Sequence, residues 1–387
     1  MVFTNDEYSV LPVGELGIIA LPGCEAFVNQ IDEYLLKWHH NRHLNLMIQD
    51  DTNHIDTFKI DVVCPRFGTG EAKALIKETV RGKDLYLICD PFNYGVRYTM
   101  YDMSVPMSPD DHFQDLKRVI SAVSGKARRL TVIMPMLYEG RQHKRTARES
   151  LDCAHALQEL VNMGVTNIIT FDAHDGRVQN AVPLGGFETI SPAYQMVKAL
   201  VHNVNNIEID KDKMLIVSPD EGGMSRCMYY SSVLGLDLGM FYKRRDYSVV
   251  VNGRNPIISH DFLGKDVSGK DVIVVDDMIS SGESMLDVAA QLKSRNAKRI
   301  FVFSTFGLFC NGLEKFDEAY AKGTIDRVFT TNLIYSTPEL LKREWHVSVD
   351  MSKYVALIID TLAYDKSLSN VLSSSERIKK LLDSLKK

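Results

Sequence analysis

The chain is 387 residues long, 45% hydrophobic and 25% charged, and its 45 Lys and Arg against 50 Asp and Glu leave a net charge of −5. At about 150 residues per domain this gives two or three domains with enough chain for a proper core, and the ordinary composition excludes extended disorder, collagen and low-complexity architectures. The acidic balance argues against whole-surface binding to nucleic acid or an anionic membrane, so neither is expected as a partner.

The opening MVFTNDEYSV lacks the basic and apolar regions of a signal peptide. No apolar run approaches the roughly 18 residues that span a bilayer, so the expected compartment is the cytosol. Six cysteines are scattered without a CxxC pair, which reads as buried reduced thiols and not as a zinc site or disulfide framework.

Val- and Ile-rich runs then alternate with segments of helical period. LTVIMPM (130–136), NIITFDAH (167–174), MLIVSPD (214–220), DVIVVDD (271–277) and RIFVFSTF (299–306) read as buried strands. The alternation predicts an α/β fold with mostly parallel sheets, in which ligands gather at the carboxyl ends of the strands. Two stretches look like copies of one unit: Leu130 through GRQHKR to NIITFDAH, and Asp271 through DDMISSGES to RIFVFSTF. Setting Leu160 on Leu292 places Ile168 on Ile300, Phe171 on Phe303 and His174 on Phe306. Two related α/β domains are therefore expected, 1–187 and 188–350, followed by a helical tail, 351–387. In that tail SSSERIKKLLDSLKK opens with a capping-box pattern, Ser373 to Glu376, and carries Ile378, Leu381, Leu382 and Leu385 on one face, as a docking helix would.

The sharpest chemical signal is DVIVVDDMISSGESMLDVAAQL (271–292). A buried strand ends in Asp276 and Asp277, and Ser280, Ser281, Gly282, Glu283 and Ser284 open a helix. Such a turn aims backbone N–H groups and hydroxyls at one point, which suits a phosphate monoester. Charge-assisted hydrogen bonds at about 1.5–3 kcal/mol each outweigh the roughly 0.3–1 kcal/mol of the helix dipole. Two carboxylates just before the turn would repel phosphate if they faced it, so they suit sugar hydroxyls, and a phosphosugar fits both halves. Glu283 fits only if its side chain points outward.

This stretch resembles the phosphoribosyl pyrophosphate loop of type I phosphoribosyltransferases and of ribose-phosphate pyrophosphokinases. Five further segments resemble the pyrophosphokinases, in that family's order: RFGTGEAKALIKETVRGKD (66–84) its adenine segment, GRQHKRTARES (140–150) its ATP loop, FDAHDGRVQNA (171–181), VSPDEGGMSR (217–226) and YKRRD (242–246). The resemblance implies two type I phosphoribosyltransferase-like domains and a Mg²⁺-dependent transfer of the β,γ-diphosphoryl group of ATP to the 1-hydroxyl of ribose 5-phosphate. The products would be phosphoribosyl pyrophosphate, for nucleotide biosynthesis, and AMP. Such transfer rests on positioning and charge neutralisation.

By that resemblance Phe67 stacks on adenine, with Thr69 and Glu71 beside it, and Arg141 and Gln142 approach ATP. Asp276, Asp277, Ser280, Ser281, Gly282 and Ser284 hold the ribose phosphate. Lys243 matches the catalytic lysine and Arg245 a catalytic, ribose-phosphate-binding arginine, both expected on a mobile loop. Asp220 and His174 match metal ligands. The adenine segment reaches a neighbouring subunit in the family, so a homo-oligomer built on dimers, up to a hexamer, is implied.

The chain departs from the family at Thr69, usually Asp, at His143, usually Asp, at Phe306, usually His, and in SSGES, usually DTxGT-like. Extra material at 41–56, at 91–111 and at the C-terminus is expected to leave the motifs untouched. Three other readings share part of the pattern. A base phosphoribosyltransferase would not need GRQHKR or RFGTGE. A non-catalytic regulatory relative would be expected to lose Lys243, Arg245, His174 or Asp220. A diphosphokinase for a larger ribose-phosphate derivative would exploit the altered SSGES turn.

Overall fold

The computed structural model describes residues 11–45, 55–245 and 257–385, and side chains at 43–45, 243–245, 257–260 and 385 lie outside that description. The chain divides into two compact units: Met1–Ser191 with Asn332–Tyr335 and Asp350–Leu372, and Pro192–Thr331 with Ser336–Val349 and Ser373–Lys387. The stretch 351–387, expected as a single tail, is thus shared between the units, because its two parts bury their apolar faces on different cores.

The first unit contains β1 (Leu16–Ala20), α1 (Glu25–Asn45), β2 (Val62–Val63), β3 (Leu75–Ile76), β4 (Asp84–Ile88), β5 (Arg97–Met100), β6 (Met103–Pro106), α2 (Pro109–Val123), β7 (Arg129–Ile133), α3 (Asp152–Asn162), β8 (Asn167–Phe171) and β9 (Gly186–Ile190). β1, β4, β7, β8 and β9 form one parallel sheet in that order. β4 is buried at every position, as a strand covered on both faces must be, which is why DLYLI is nearly all apolar. α2 starts where Pro109 follows Ser108, whose hydroxyl caps Asp111 N–H while Asp111 caps Ser108 N–H. Its Phe113, Leu116, Val119, Ile120 and Val123 recur at helical spacing and are buried in the core with Leu85, Leu87 and Val132. At about 1.5–3 kcal/mol for each large apolar side chain, this face holds the helix down.

The second unit contains α4 (Ala193–Asn203), β10 (Met214–Ser218), α5 (Met224–Leu234), β11 (Asp237–Arg245), β12 (Ile257–Leu263), β13 (Asp271–Ile279), α6 (Glu283–Ser294), β14 (Ile300–Gly307), α7 (Glu314–Ala321), β15 (Arg327–Thr331), α8 (Pro338–Leu341) and β16 (His346–Val349). Its sheet runs β12-β11-β10-β13-β14-β15-β16, parallel except where β12 meets β11. Three helices follow: α9 (Ser352–Ala363) and α10 (Ser369–Leu372) in the first unit, and α11 (Ser375–Leu385) in the second. α9 packs on α1, whereas α11 packs on α4 and α5 with Ile378 fully buried. The docking role expected of the last helix holds.

The two units are copies, but in a different register from the one the sequence suggested. Gly82-Lys83-Asp84 before β4 and Gly269-Lys270-Asp271 before β13 build the same corner. Both glycines take a positive φ, 75° and 73°. Gly82 N–H donates to Lys126 O at 3.0 Å and Arg128 N–H to Lys83 O at 2.8 Å; Gly269 N–H donates to Asn296 O at 2.9 Å and Lys298 N–H to Lys270 O at 2.8 Å. Arg129 grips Asp84 with two hydrogen bonds of 2.8 and 2.6 Å, as Arg299 grips Asp271 at 2.9 and 2.5 Å. β1, β4, β7, β8 and β9 therefore correspond to β10, β13, β14, β15 and β16, and both sheets list them in the same order. The alignment of His174 with Phe306 falls away, since β8 answers to β15 and not to β14. Phe306 is a core residue paired with Met278 across β13 and β14.

All six cysteines are free thiols; Cys24, Cys89, Cys153 and Cys227 are buried as expected, but Cys64 is partly exposed and Cys310 exposed. No described helix is long and apolar enough to cross a membrane.

Candidate functional site

In the second unit three neighbouring parallel strands, β11, β10 and β13, bring their carboxyl ends to one edge of the sheet. β13 delivers Asp276 and Asp277. Consecutive strand residues face opposite sides, and here Asp277 is buried, 4% exposed, while Asp276 is partly open. Asp276 Oδ1 accepts Asp277 N–H at 2.9 Å and lies 3.8 Å from Arg226 Nη1, at the start of α5. Burial and the adjacent Asp277 carboxyl push Asp276 well above the usual carboxylate range. Of the two acids, Asp276 is the one open to a ligand.

The turn after β13 is held in place from behind. Leu308 N–H donates to Ile279 O at 2.9 Å and Cys310 N–H to Ser280 O at 2.9 Å. Gly282 caps α6 with φ 80°, and a Cβ there would stand 2.3 Å from Phe316 Cε2. Both the dihedral and the space require glycine. Ser281 Oγ accepts Glu283 N–H at 3.4 Å, and the backbone N–H groups of Ser281 and Gly282 have no partner among the described residues. Glu283 is turned to α7, where Lys315 Nζ donates to it at 2.6 Å and lowers its pKa. The acid that fitted the turn only if it pointed outward does point outward.

Asp220 follows β10. Its Oδ1 accepts Gly222 N–H at 2.9 Å and Gly223 N–H at 3.3 Å, while Oδ2 has no protein partner among the described residues. At Gly223 a Cβ would come within 2.8 Å of Ser218 Oγ. β11 ends in Lys243, Arg244 and Arg245, whose backbone pairs with His260, Ser259 and Ile257 of β12 around a bulge. These cations are therefore in a paired strand and not in the loop expected from sequence. Their side chains, and residues 246–256, lie outside the described residues.

In the first unit the ends of β7 and β8 carry the other motifs. Arg141 is exposed, and Gln142 Nε2 donates to Ser150 O at 3.0 Å and Lys144 O at 3.3 Å, folding the ATP-loop segment on itself. His143 Nε2 lies 3.4 Å from Asp175 Oδ2, its ring centroid is 5.4 Å from that of His174, and its Nδ1 is buried without a partner. Arg177 donates to both oxygens of Asp175 and holds that carboxyl far below its ordinary range. The adenine segment is a hairpin between β2 and β3: Phe67 N–H donates to Glu71 O at 2.7 Å, Gly70 N–H to Phe67 O at 2.9 Å, and Thr69 Oγ1 to Glu71 Oε2 at 2.9 Å. Phe67 is 54% exposed.

The extra material at 91–111 does touch a motif, contrary to expectation. It forms the β5–β6 hairpin, and Tyr101 N–H at its tip donates to Gly68 O at 2.9 Å. Sequence reasoning also missed the pairing of Arg226 with Asp276, although the arginine ends the quoted VSPDEGGMSR; only the fold brings α5 beside β13.

A divalent cation is tested by the donors present. Among the described residues no three His, Cys, Asp or Glu side chains converge on one point, so these residues form no all-protein cage. Asp220 with its open Oδ2 is a hard oxygen donor, and Mg²⁺ ordinarily takes one or two such carboxylates while keeping waters and substrate phosphates. Asp220 fits that pattern, with His174 as the weaker candidate because imidazole suits softer metals.

A family model described as the N-terminal domain of ribose phosphate pyrophosphokinase matches residues 18–164, and one described as the phosphoribosyl transferase domain matches 187–339. The ribose-phosphate pyrophosphokinase of Wolinella succinogenes is 30% identical over 70% of this chain and 78% of its own length. That of Shewanella oneidensis is 29% identical over 81% and 91%. A solved structure of phosphoribosylpyrophosphate synthetase from Mycobacterium smegmatis shares the fold, with TM-score 0.68 at 20% identity, covering 90% of this chain and 98% of that one.

Proposed function

This chain belongs to the ribose-phosphate pyrophosphokinase family, and we propose that it works as one, a ribose-phosphate diphosphokinase acting on ATP and ribose 5-phosphate. The observation that carries the reading is the β13–α6 turn, with two backbone N–H groups unengaged among the described residues, its one acid tied back to Lys315, and Asp276 partly open beside it.

Ser280, Ser281, Gly282 and Ser284 take the 5-phosphate through hydroxyl and N–H donors. Asp276 accepts the ribose hydroxyls, with Asp277 buried behind it as a support. The 1-hydroxyl oxygen forms a bond to the β-phosphorus of ATP, the bond from that phosphorus to the oxygen it shares with the α-phosphate breaks, and the hydroxyl proton is lost. AMP leaves with the electron pair. Lys243 and Arg245, from the strand end beside Asp220, neutralise the migrating phosphoryl groups, as positioned cations do where charge develops. Phe67 and Glu71 hold the adenine, Arg141 and Gln142 the nucleotide's sugar and phosphates. In the second unit Asp220 Oδ2 would hold Mg²⁺, with His174 of the first unit the weaker candidate, and the ion when bound would supply charge neutralisation. A cytosolic homo-oligomer, in which the adenine hairpin serves a neighbour, completes the reading.

The test is to incubate the protein with ATP, Mg²⁺ and ribose 5-phosphate and identify both products. AMP with a 1-diphosphorylated pentose is the expected result. ADP, or no turnover with ribose 5-phosphate alongside turnover with a larger phosphosugar, overturns it.

A further inference from the structure

We propose that the β5–β6 hairpin completes the donor-base site: Tyr101 at its tip is a second aromatic wall, beside Phe67, for the purine of the nucleotide. The inference rests on the reading of Phe67 and Glu71 as base contacts and adds a residue to it.

The hairpin and the adenine segment are locked together. Tyr101 N–H donates to Gly68 O at 2.9 Å, and the position a Cβ would take on Gly70 lies 2.7 Å from Met100 Sδ. At the base of the segment, Arg66 stacks over the Tyr98 ring at 4.8 Å and pairs with buried Asp115 at 2.7 Å. The two pieces therefore present one surface.

That surface carries two open rings on adjoining backbone, Phe67 at 54% and Tyr101 at 69% exposure. Gly68, next to Phe67 in the chain and bonded through its carbonyl to Tyr101 N–H, has no described atom within 4 Å of where its side chain would begin. A flat apolar ligand has room there. Polar recognition is at hand: Thr69 occupies Glu71 Oε2, and the other oxygen, without a partner among the described residues, can accept from an exocyclic amine such as adenine's.

The tip itself is unusual. Tyr101 and Asp102 both have positive φ, 46° and 59°, as in a turn that normally takes Asn-Gly. A bulky residue in that region is strained, and strain of this kind gathers at ligand sites. The turn would be less strained with glycine at this position, and a tyrosine 69% exposed gains little from packing there.

The experiment measures binding of ATP and of inorganic tripolyphosphate, which has no base, by titration calorimetry on the full chain, with turnover measured alongside. Tyr101→Ala and Tyr101→Gly should weaken ATP roughly 5- to 100-fold, the range of a lost base–aromatic stack. Tyr101→Phe should stay within about twofold of the parent, and tripolyphosphate affinity and the KM for ribose 5-phosphate should not move. Tyr101→Gly should melt no lower than the parent, because it relieves the turn, which guards against misfolding as the cause. ATP affinity unchanged in Tyr101→Ala, or an equal loss for tripolyphosphate, overturns the inference. A parent protein that binds ATP but makes no AMP refutes the proposed function instead, and the binding comparison still decides the role of Tyr101.

Discussion

Replacing Gly282 by alanine tests the phosphate turn most directly. Gly282 has φ 80°, a region that costs an L-residue about 1–2 kcal/mol. The new methyl would also stand 2.3 Å from Phe316 Cε2 and 2.6 Å from its Cζ. Phe316 cannot swing away freely: it is 0% exposed and packs against Phe309 and Trp345, with ring centroids at 5.0 and 5.4 Å. Overpacking of this kind costs about 1–3 kcal/mol, so the sum is about 2–5 kcal/mol, carried by the segment that would bind phosphate. Thermal melting should fall by roughly 5–15 °C. The KM for ribose 5-phosphate should rise about tenfold or more as donors worth about 1.5–3 kcal/mol each are misaimed. Adding Phe316→Leu should recover part of both losses, a non-additivity expected of residues in contact. A Gly282→Ala protein with parental melting and parental KM for ribose 5-phosphate would refute both the steric argument and the place of the phosphate.

Other predictions follow from the same geometry. Lys315→Ala releases Glu283, whose charge would then face the phosphate: the KM for ribose 5-phosphate should rise about 3- to 10-fold at low salt, less at high salt, and Glu283→Gln in the same protein should reverse it. Asp90 is buried and its pKa is raised to about 6 from 3.8 by desolvation. The folded state thus holds this proton more tightly than the unfolded state, so its contribution is fully present below pH about 4 and is lost as pH rises through about 6. The loss amounts to about 3 kcal/mol, and melting curves of Asp90→Asn between pH 4 and 6 should lack that slope, whatever their absolute level. Asp84→Ala strands the Arg129 guanidinium in a largely buried corner, and chemical denaturation should show a loss of about 3–5 kcal/mol with both substrate KM values unchanged, because Asp84 starts its strand and the candidate site residues lie past strand ends.

Much of this was legible in the chain because buried parallel strands write themselves as apolar runs: all five strands read from sequence are strands, and the segments after four of them carry candidate site residues. The register of the repeat was misread, since two βα steps of one period look alike and Leu160 falls on Leu292 by helix spacing alone. The Gly-Lys-Asp at 82–84 and 269–271 was the better marker, because its positive-φ glycine answers to particular backbone bonds and its buried acid to an arginine. Lys243 and Arg245 looked like loop cations because no apolar alternation announces that β11 continues into KRR; its pairing with β12 is a long-range event. The meeting of Tyr101 with Gly68 and of Arg226 with Asp276 likewise has no local sequence signal.

Counting on from the matched corners, Cys89 stands where the other copy has Asp276, and Asp90 where it has Asp277. Asp90 spends its carboxyl on the chain itself, accepting Tyr335 N–H at 2.7 Å and Phe92 N–H at 3.0 Å. In the first unit a thiol and an acid bonded to its own backbone thus stand where the second has its paired carboxylates; under the proposed function only the second unit would grip the pentose, and equilibrium binding should read one ribose 5-phosphate per chain.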